Sequence, residues 1–207
     1  MKFYLSSFKL GSKSAELVKL MSENKKIAYI PNACDYTNVD WDRRNKSERI
    51  DIESLKKLGL SVEIIDLKKY FSETAQLKKK LNKFGGVFVR GGNTFILRQA
   101  MKLSGFDIIF KELLKRDDFL YAGYSAGICV LAPDFKAIQH VDDPNDHPYP
   151  EQKKTIWKGL GFLDYIILPH YKSDHPESAD VDKEVEFAKK NKIPFKTLKD
   201  GEVIIIK

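Results

Sequence analysis

Short runs of β-branched and aromatic residues recur along the chain, and between them apolar residues repeat at helical spacing. Strands are expected at 2–7, 26–32, 61–67, 86–91, 120–125 and 164–170. Helical patterns occupy 13–24, 47–59, 72–84, 93–104, 105–117 and 176–191. Ser72-Glu73-Thr74 reads as a helix start and Gly59 as a helix stop. Parallel strands need crossover connections, so strict alternation of this kind predicts a mostly parallel sheet with helices on both faces. Two last runs, 195–198 and 202–207, flank "KDG" and read as a closing hairpin. The segment 135–155 is rich in Pro, Asp and Asn, and a loop of that length inside a compact domain is expected to be functional or mobile.

The 207 residues suit one domain, 1–207, and suffice to bury a full α/β core. The formal charge of +7 comes mostly from lysines scattered among acidic residues, which favours a solvated surface over a nucleic-acid site. A small anionic substrate remains compatible with it. No apolar run reaches the length of a membrane span, and the N-terminal apolar stretch is too short for a signal peptide. Two cysteines, Cys34 and Cys129, suggest neither a disulfide framework nor a zinc cluster. The expectation is a cytoplasmic protein, monomer or homodimer, without nucleic-acid or membrane partner, cofactor or metal.

The stretch "YAGYSAGICVLAPD" (121–134) surrounds one hydroxyl with small residues. Gly123-x-Ser125-x-Gly127 has the pattern of a nucleophile elbow, in which a strand turns sharply into a helix and exposes the serine on a strained backbone. The same residues also suit a plain tight turn. A serine nucleophile needs a base, and there are four histidines. His140 and His147 fall in the Pro-rich loop, and His175 lies at a helix entrance. His170 ends the run "YIILPH", at the carboxyl edge of an expected strand, where open α/β sheets bind ligands. "FVRGGNTFILRQA" (88–100) runs strand, Gly91-Gly92, helix start. It fits either a backbone donor for an oxyanion or an ordinary helix cap.

Together "GGNTF" (91–95), "GYSAG" (123–127) and "LPHY" (168–171) resemble peptidase family S51, the aspartyl dipeptidase and cyanophycinase-like serine peptidases. The resemblance spans most of the chain. It implies a flavodoxin-like three-layer α/β sandwich related to class I glutamine amidotransferases, and hydrolysis of short peptides, in the family after an N-terminal aspartate. It implies Ser125 as nucleophile and His170 as general base. It further implies the N–H groups of Gly92 and Ala126 as oxyanion hole, and Asn93 in the substrate pocket. "LKDG" places Asp200 as the acid of the triad, with Asp142 or Asp143 as the competing choice.

Aspartate-specific members hold the substrate carboxylate with an arginine downstream of the histidine, yet no arginine follows Arg116 here. Lysines such as Lys172 supply charge but no bidentate fork. Arg90 and Arg98 flank "GGNTF", with Arg90 expected to alternate away from the pocket or pair with a carboxylate. Selection for an acidic residue is therefore expected to be modest. Three competing readings are an amidotransferase-like small-molecule binding protein with little turnover, an α/β-hydrolase esterase, and a cysteine nucleophile at Cys34 or Cys129.

Overall fold

A computed structural model describes residues 1–207. Eight strands form two sheets. The larger is ordered β3-β2-β4-β5-β1-β8, from β1 (Lys2–Ser6), β2 (Lys26–Ile30), β3 (Ser61–Ile64), β4 (Gly86–Val89), β5 (Leu120–Tyr124) and β8 (Val203–Ile206). All neighbours in it are parallel except β8, which runs antiparallel to β1. The smaller sheet pairs β6 (Ile166–Leu168) with β7 (Phe195–Thr197) in parallel.

The two last strands are thus not a hairpin. Phe195–Thr197 joins the small sheet, the Lys199–Gly201 turn crosses over, and Val203–Ile206 closes the open edge of β1. An unpaired edge of β1 would leave a row of orphan N–H and C=O groups, which this pairing satisfies.

Alternation along the strands divides the core in two. Tyr4, Tyr29, Phe88, Ala122 and Tyr124 face one side, where α1 (Ser14–Leu20) and α2 (Trp41–Lys57) contribute Leu17, Leu20 and Leu55. Phe3, Leu5, Ala28, Ile30, Val87, Val89 and Tyr121 face the other. There α3 (Thr74–Leu81), α4 (Thr94–Leu103), α5 (Phe106–Leu113), α6 (Ala126–Cys129) and α7 (Ser178–Lys190) pack. This is the three-layer α/β sandwich expected, with each fully buried Leu, Ile or Phe contributing about 1.5–3 kcal/mol.

Helix α2 begins at Trp41, well before the expected position 47. Asp40 caps it, accepting the Arg43 N–H at 3.0 Å. A buried carboxylate then pins the helix to the sheet: Asp51 accepts the hydroxyls of Tyr29 (2.8 Å) and Tyr124 (2.7 Å), and Lys9 Nζ lies 2.7 Å from its other oxygen. That anchor holds the first turns of α2 beside the carboxyl ends of the strands. The 135–155 segment is tied down over α4, with Asp142 Oδ2 accepting the Thr94 N–H and Gln99 donating to the Asp146 carbonyl.

Candidate active site

Strand β5 ends at Tyr124, and the next residue turns hard. Ser125 has φ 49° and ψ −122°, a conformation costing an L-residue about 1–3 kcal/mol. Its own N–H donates to the Ser7 carbonyl at 3.2 Å, and its carbonyl accepts from Ile128 and Cys129 as α6 begins. The flanking glycines have a steric cause. A Cβ at Gly123 would sit 2.7 Å from the Val89 carbonyl oxygen, and one at Gly127 would sit 2.2 Å from it. Only bare backbone lets β4 pass beneath this turn.

Gly91 and Gly92 leave β4 on the same edge. Gly92 has φ 145°, a region open to glycine, and a Cβ there would lie 2.4 Å from the Ala33 carbonyl oxygen. Its N–H donates to no protein acceptor. Ala126 opens α6 directly after Ser125, with its N–H in the first helical turn.

His170 follows β6 at φ 61° and is almost wholly buried. Its Nδ1 stands 2.7 Å from Asp200 Oδ1. The Ser7 hydroxyl donates to the same Asp200 oxygen at 2.9 Å and accepts the His170 backbone N–H at 2.9 Å. The Asp200 N–H in turn donates to Ser173 Oγ at 2.8 Å. Asp200 is thus seated from three sides, and the imidazole presents Nε2 to the cleft. Burial, followed by repulsion from His175, pushes the His170 pKa down, against the pull of Asp200. No hydrogen bond joins Ser125 to His170 here, although both line one cleft of about 700 Å³.

The other acids in contention go elsewhere. Asp142 caps α4 through Thr94, and Asp143 accepts the Asn145 N–H in its own turn. Burial pushes the Asp142 carboxyl up to about 6. Asn93 is not brought to the cleft wall: its amide oxygen accepts from Phe95 and Ile96, and its NH₂ donates to the Asp143 carbonyl. The cap geometry consumes both ends of the side chain. Cys34 lines the cleft with its thiol on the Gly91 carbonyl, and burial pushes its pKa up, away from a reactive thiolate. Cys129 is buried with its thiol on the Ile167 carbonyl.

The charges of the cleft depart most from expectation. Arg90 lines the cleft, together with Arg43, Arg44 and Lys9, on the face of the sheet that α2 covers, and its carboxylate neighbour is Glu48 at 4.0 Å. Arg90 is 4 % exposed, and its Nε has no partner. Arg44 is neutralised by Asp35 at 2.6 Å. Arg98 turns away to Asp107 and the Lys158 carbonyl. Lys172 stands over the Tyr171 ring, outside the cleft lining. Sequence reasoning missed Arg43, Arg44 and Lys9; the Asp40 cap, three residues before Arg43, was the one local signal that α2 starts early enough to bring two of them here.

Elsewhere on the cleft lining, the His170 and His175 rings stack at 3.8 Å and 11°, with Glu177 Oε2 3.9 Å from a nitrogen of each. These three residues are the group whose donor atoms could hold a metal ion.

Among known proteins, the profile of peptidase family S51 matches residues 8–207. An uncharacterized peptidase of Listeria innocua is 30% identical over 175 residues, covering 82% of this chain and 75% of its own. Peptidase E of Streptomyces coelicolor is 30% identical over 129 residues, covering 59% of this chain and 49% of its own. A crystal structure described as a "Putative Peptidase E Protein" from Listeria monocytogenes superposes with a TM-score of 0.71 at 25% identity, over 100% of this chain and 98% of that one. A peptidase from an acI-B1 actinobacterium, 13% identical with a TM-score of 0.70, shares the fold. The matched region contains the Ser125 elbow, the Gly91-Gly92 turn, His170 and Asp200 alike, and the chain belongs to peptidase family S51, a family of peptidases.

Proposed function

We propose that the chain is a serine-type peptidase acting on short peptides that carry an acidic residue. One observation carries this reading: the His170–Asp200 pair, at 2.7 Å, shares a cleft with a strained, half-buried serine at an elbow. Ser125 Oγ attacks the peptide carbonyl while His170 Nε2 takes its proton. The Gly92 and Ala126 N–H groups receive the charge that develops on the carbonyl oxygen. His170 then returns the proton to the departing amine, and water, activated by the same imidazole, releases the acyl group. Asp200 holds the ring and offsets the positive charge it gains. The Ser125–His170 hydrogen bond forms as substrate fills the cleft, as such bonds commonly tighten only in the complex.

A cleft of about 700 Å³ suits a ligand of small-molecule size, hence a peptide of few residues. Arg43 and Arg90 on the cleft lining support an acidic side chain, because neither has a carboxylate partner within 3.9 Å and a substrate carboxylate would supply one. The test is fluorophosphonate labelling followed by hydrolysis of matched dipeptides with acidic, basic and neutral N-terminal residues. Labelling and turnover should both vanish in Ser125→Ala while the fold persists. Turnover by Ser125→Ala within tenfold of wild type would rule the mechanism out.

A further inference from the structure

We propose that His170, His175 and Glu177 form a binding site for a divalent transition-metal ion, zinc foremost, and that its occupation switches the peptidase off. The switching half rests on the reading of His170 as the base; the site itself does not.

The donor atoms are already gathered. Glu177 Oε2 lies 3.9 Å from His170 Nε2 and 3.9 Å from His175 Nδ1, and one donor atom of each residue falls within 4.8 Å of the others. Zinc binds imidazole nitrogen and carboxylate oxygen at about 2.0–2.2 Å, so it spans donors up to about 4 Å apart. Two of the three separations already satisfy that limit; a tetrahedral site, with donors about 3.4 Å apart, needs those two to contract by about half an ångström and the pair of imidazole nitrogens to close from within 4.8 Å.

Two features of the surroundings favour a metal. Asp200 takes the His170 Nδ1 side at 2.7 Å, which fixes the ring and directs the Nε2 lone pair toward Glu177. A carboxylate behind a histidine in this way is the usual outer support of a metal-binding imidazole. Glu177 has no Lys or Arg partner: within 4 Å its only basic neighbours are the two imidazoles. The donor set of two nitrogens and one oxygen suits zinc and its first-row neighbours, whereas magnesium and calcium prefer oxygen cages.

One rearrangement is required. The two rings are stacked nearly parallel, and a metal must lie close to the plane of each ring it joins. His175 is the ring free to turn. It sits between β6 and α7, held by a long 3.3 Å contact from the Glu177 N–H and by an edge contact with Phe8. Three protein donors leave a fourth position facing the cleft. With Nε2 joined to a metal, His170 has no lone pair to accept the Ser125 proton, and acylation stops.

Calorimetry with zinc chloride on Ser125→Ala separates the site from the chemistry. That variant should bind one zinc per chain, and His175→Gln or Glu177→Gln in the same background should each weaken binding at least tenfold. Asp200→Asn should weaken it by about 10–100-fold, the usual effect of losing such a support. Zinc should inhibit the wild-type chain at the concentrations at which it binds, EDTA should reverse this, and magnesium should have no effect. For each variant the rate in EDTA serves as its own reference. Absence of zinc binding, binding indifferent to both His175→Gln and Glu177→Gln, or activation by zinc would overturn the proposal. Binding with the expected variant pattern, in a protein that hydrolyses no peptide in EDTA, upholds the site and defeats the peptidase reading instead.

Discussion

The carbonyl oxygen of Val89 lies where a side chain at Gly127 would begin, 2.2 Å from the ideal Cβ position. The elbow is therefore seated on the neighbouring strand, and its glycines answer to that backbone rather than to the substrate. Gly127→Ala must push β4 and α6 apart, and backbone at this distance has no rotamer with which to yield. Overpacking of this kind costs about 1–3 kcal/mol or more. Denaturant unfolding should show a loss of that size, together with loss of turnover as Ser125 shifts.

Asp200→Asn should lower kcat by roughly 10³–10⁴-fold, the scale of losing the acid that orients a triad histidine. Asp142→Asn should stay within about tenfold of wild type, since Asp142 touches Thr94 rather than His170. Steady-state kinetics on the two variants decides between them, and the reverse order would return the role to the loop.

Asp142 also makes a prediction about stability. Its carboxyl is pushed from 3.8 to about 6 by burial, so between these values the folded chain holds a proton that the unfolded chain has lost. The favourable contribution is complete below about pH 4 and disappears as pH rises through about 6. Asn at 142 stays neutral and still accepts the Thr94 N–H. Asp142→Asn should therefore gain about 1–3 kcal/mol over wild type at pH 8 and little at pH 4, read from Tm against pH.

His170 must be neutral to accept a proton, and burial and His175 both push its pKa below the ordinary histidine range. The acidic limb of kcat/KM should then lie below about 6.5, the unperturbed value. His175→Gln removes a repulsive neighbour, so the limb should move to higher pH. A pH–rate profile in EDTA tests this, and an unmoved limb would mean that His175 does not act on the base.

Arg90→Met should reduce kcat/KM for a peptide with an N-terminal Asp by about 10–150-fold, the worth of a charge-assisted hydrogen bond of about 1.5–3 kcal/mol. The matched Asn peptide should be far less affected. If both peptides lose equally, Arg90 supports the cleft wall without reading charge.

The sheet was legible because alternation is local: strand-length apolar runs and helical spacing survive in any context, and they predict parallel crossovers. The elbow, the Gly91-Gly92 turn and the helix start at Asn93 were legible for the same reason, since each is a demand on a few consecutive backbone angles, whereas the Asp40 cap that starts α2 early was not read. Partnership was not local. Two short strands around "KDG" look like a hairpin, yet their partners were set by which sheet edges stood open, those of β6 and β1. Arg90 keeps the face of Phe88, two residues earlier, and that is the face on which α2 packs, so its guanidinium meets the Arg44 carbonyl and Glu48 where the early turns of α2 line the cleft. Arg43 reached the same wall because Asp51, Tyr29 and Tyr124 fasten α2 to the sheet. Asp200 rather than Asp142 meets His170 because the Lys199–Gly201 turn crosses from one sheet to the other beside β6, while Asp142 is drawn to the N–H groups that open α4. The sequence alone thus determined the elements and the chemistry each could offer. Which side chains meet was decided by strand order and helix anchoring, because contacts between distant residues exist only after the layers have packed.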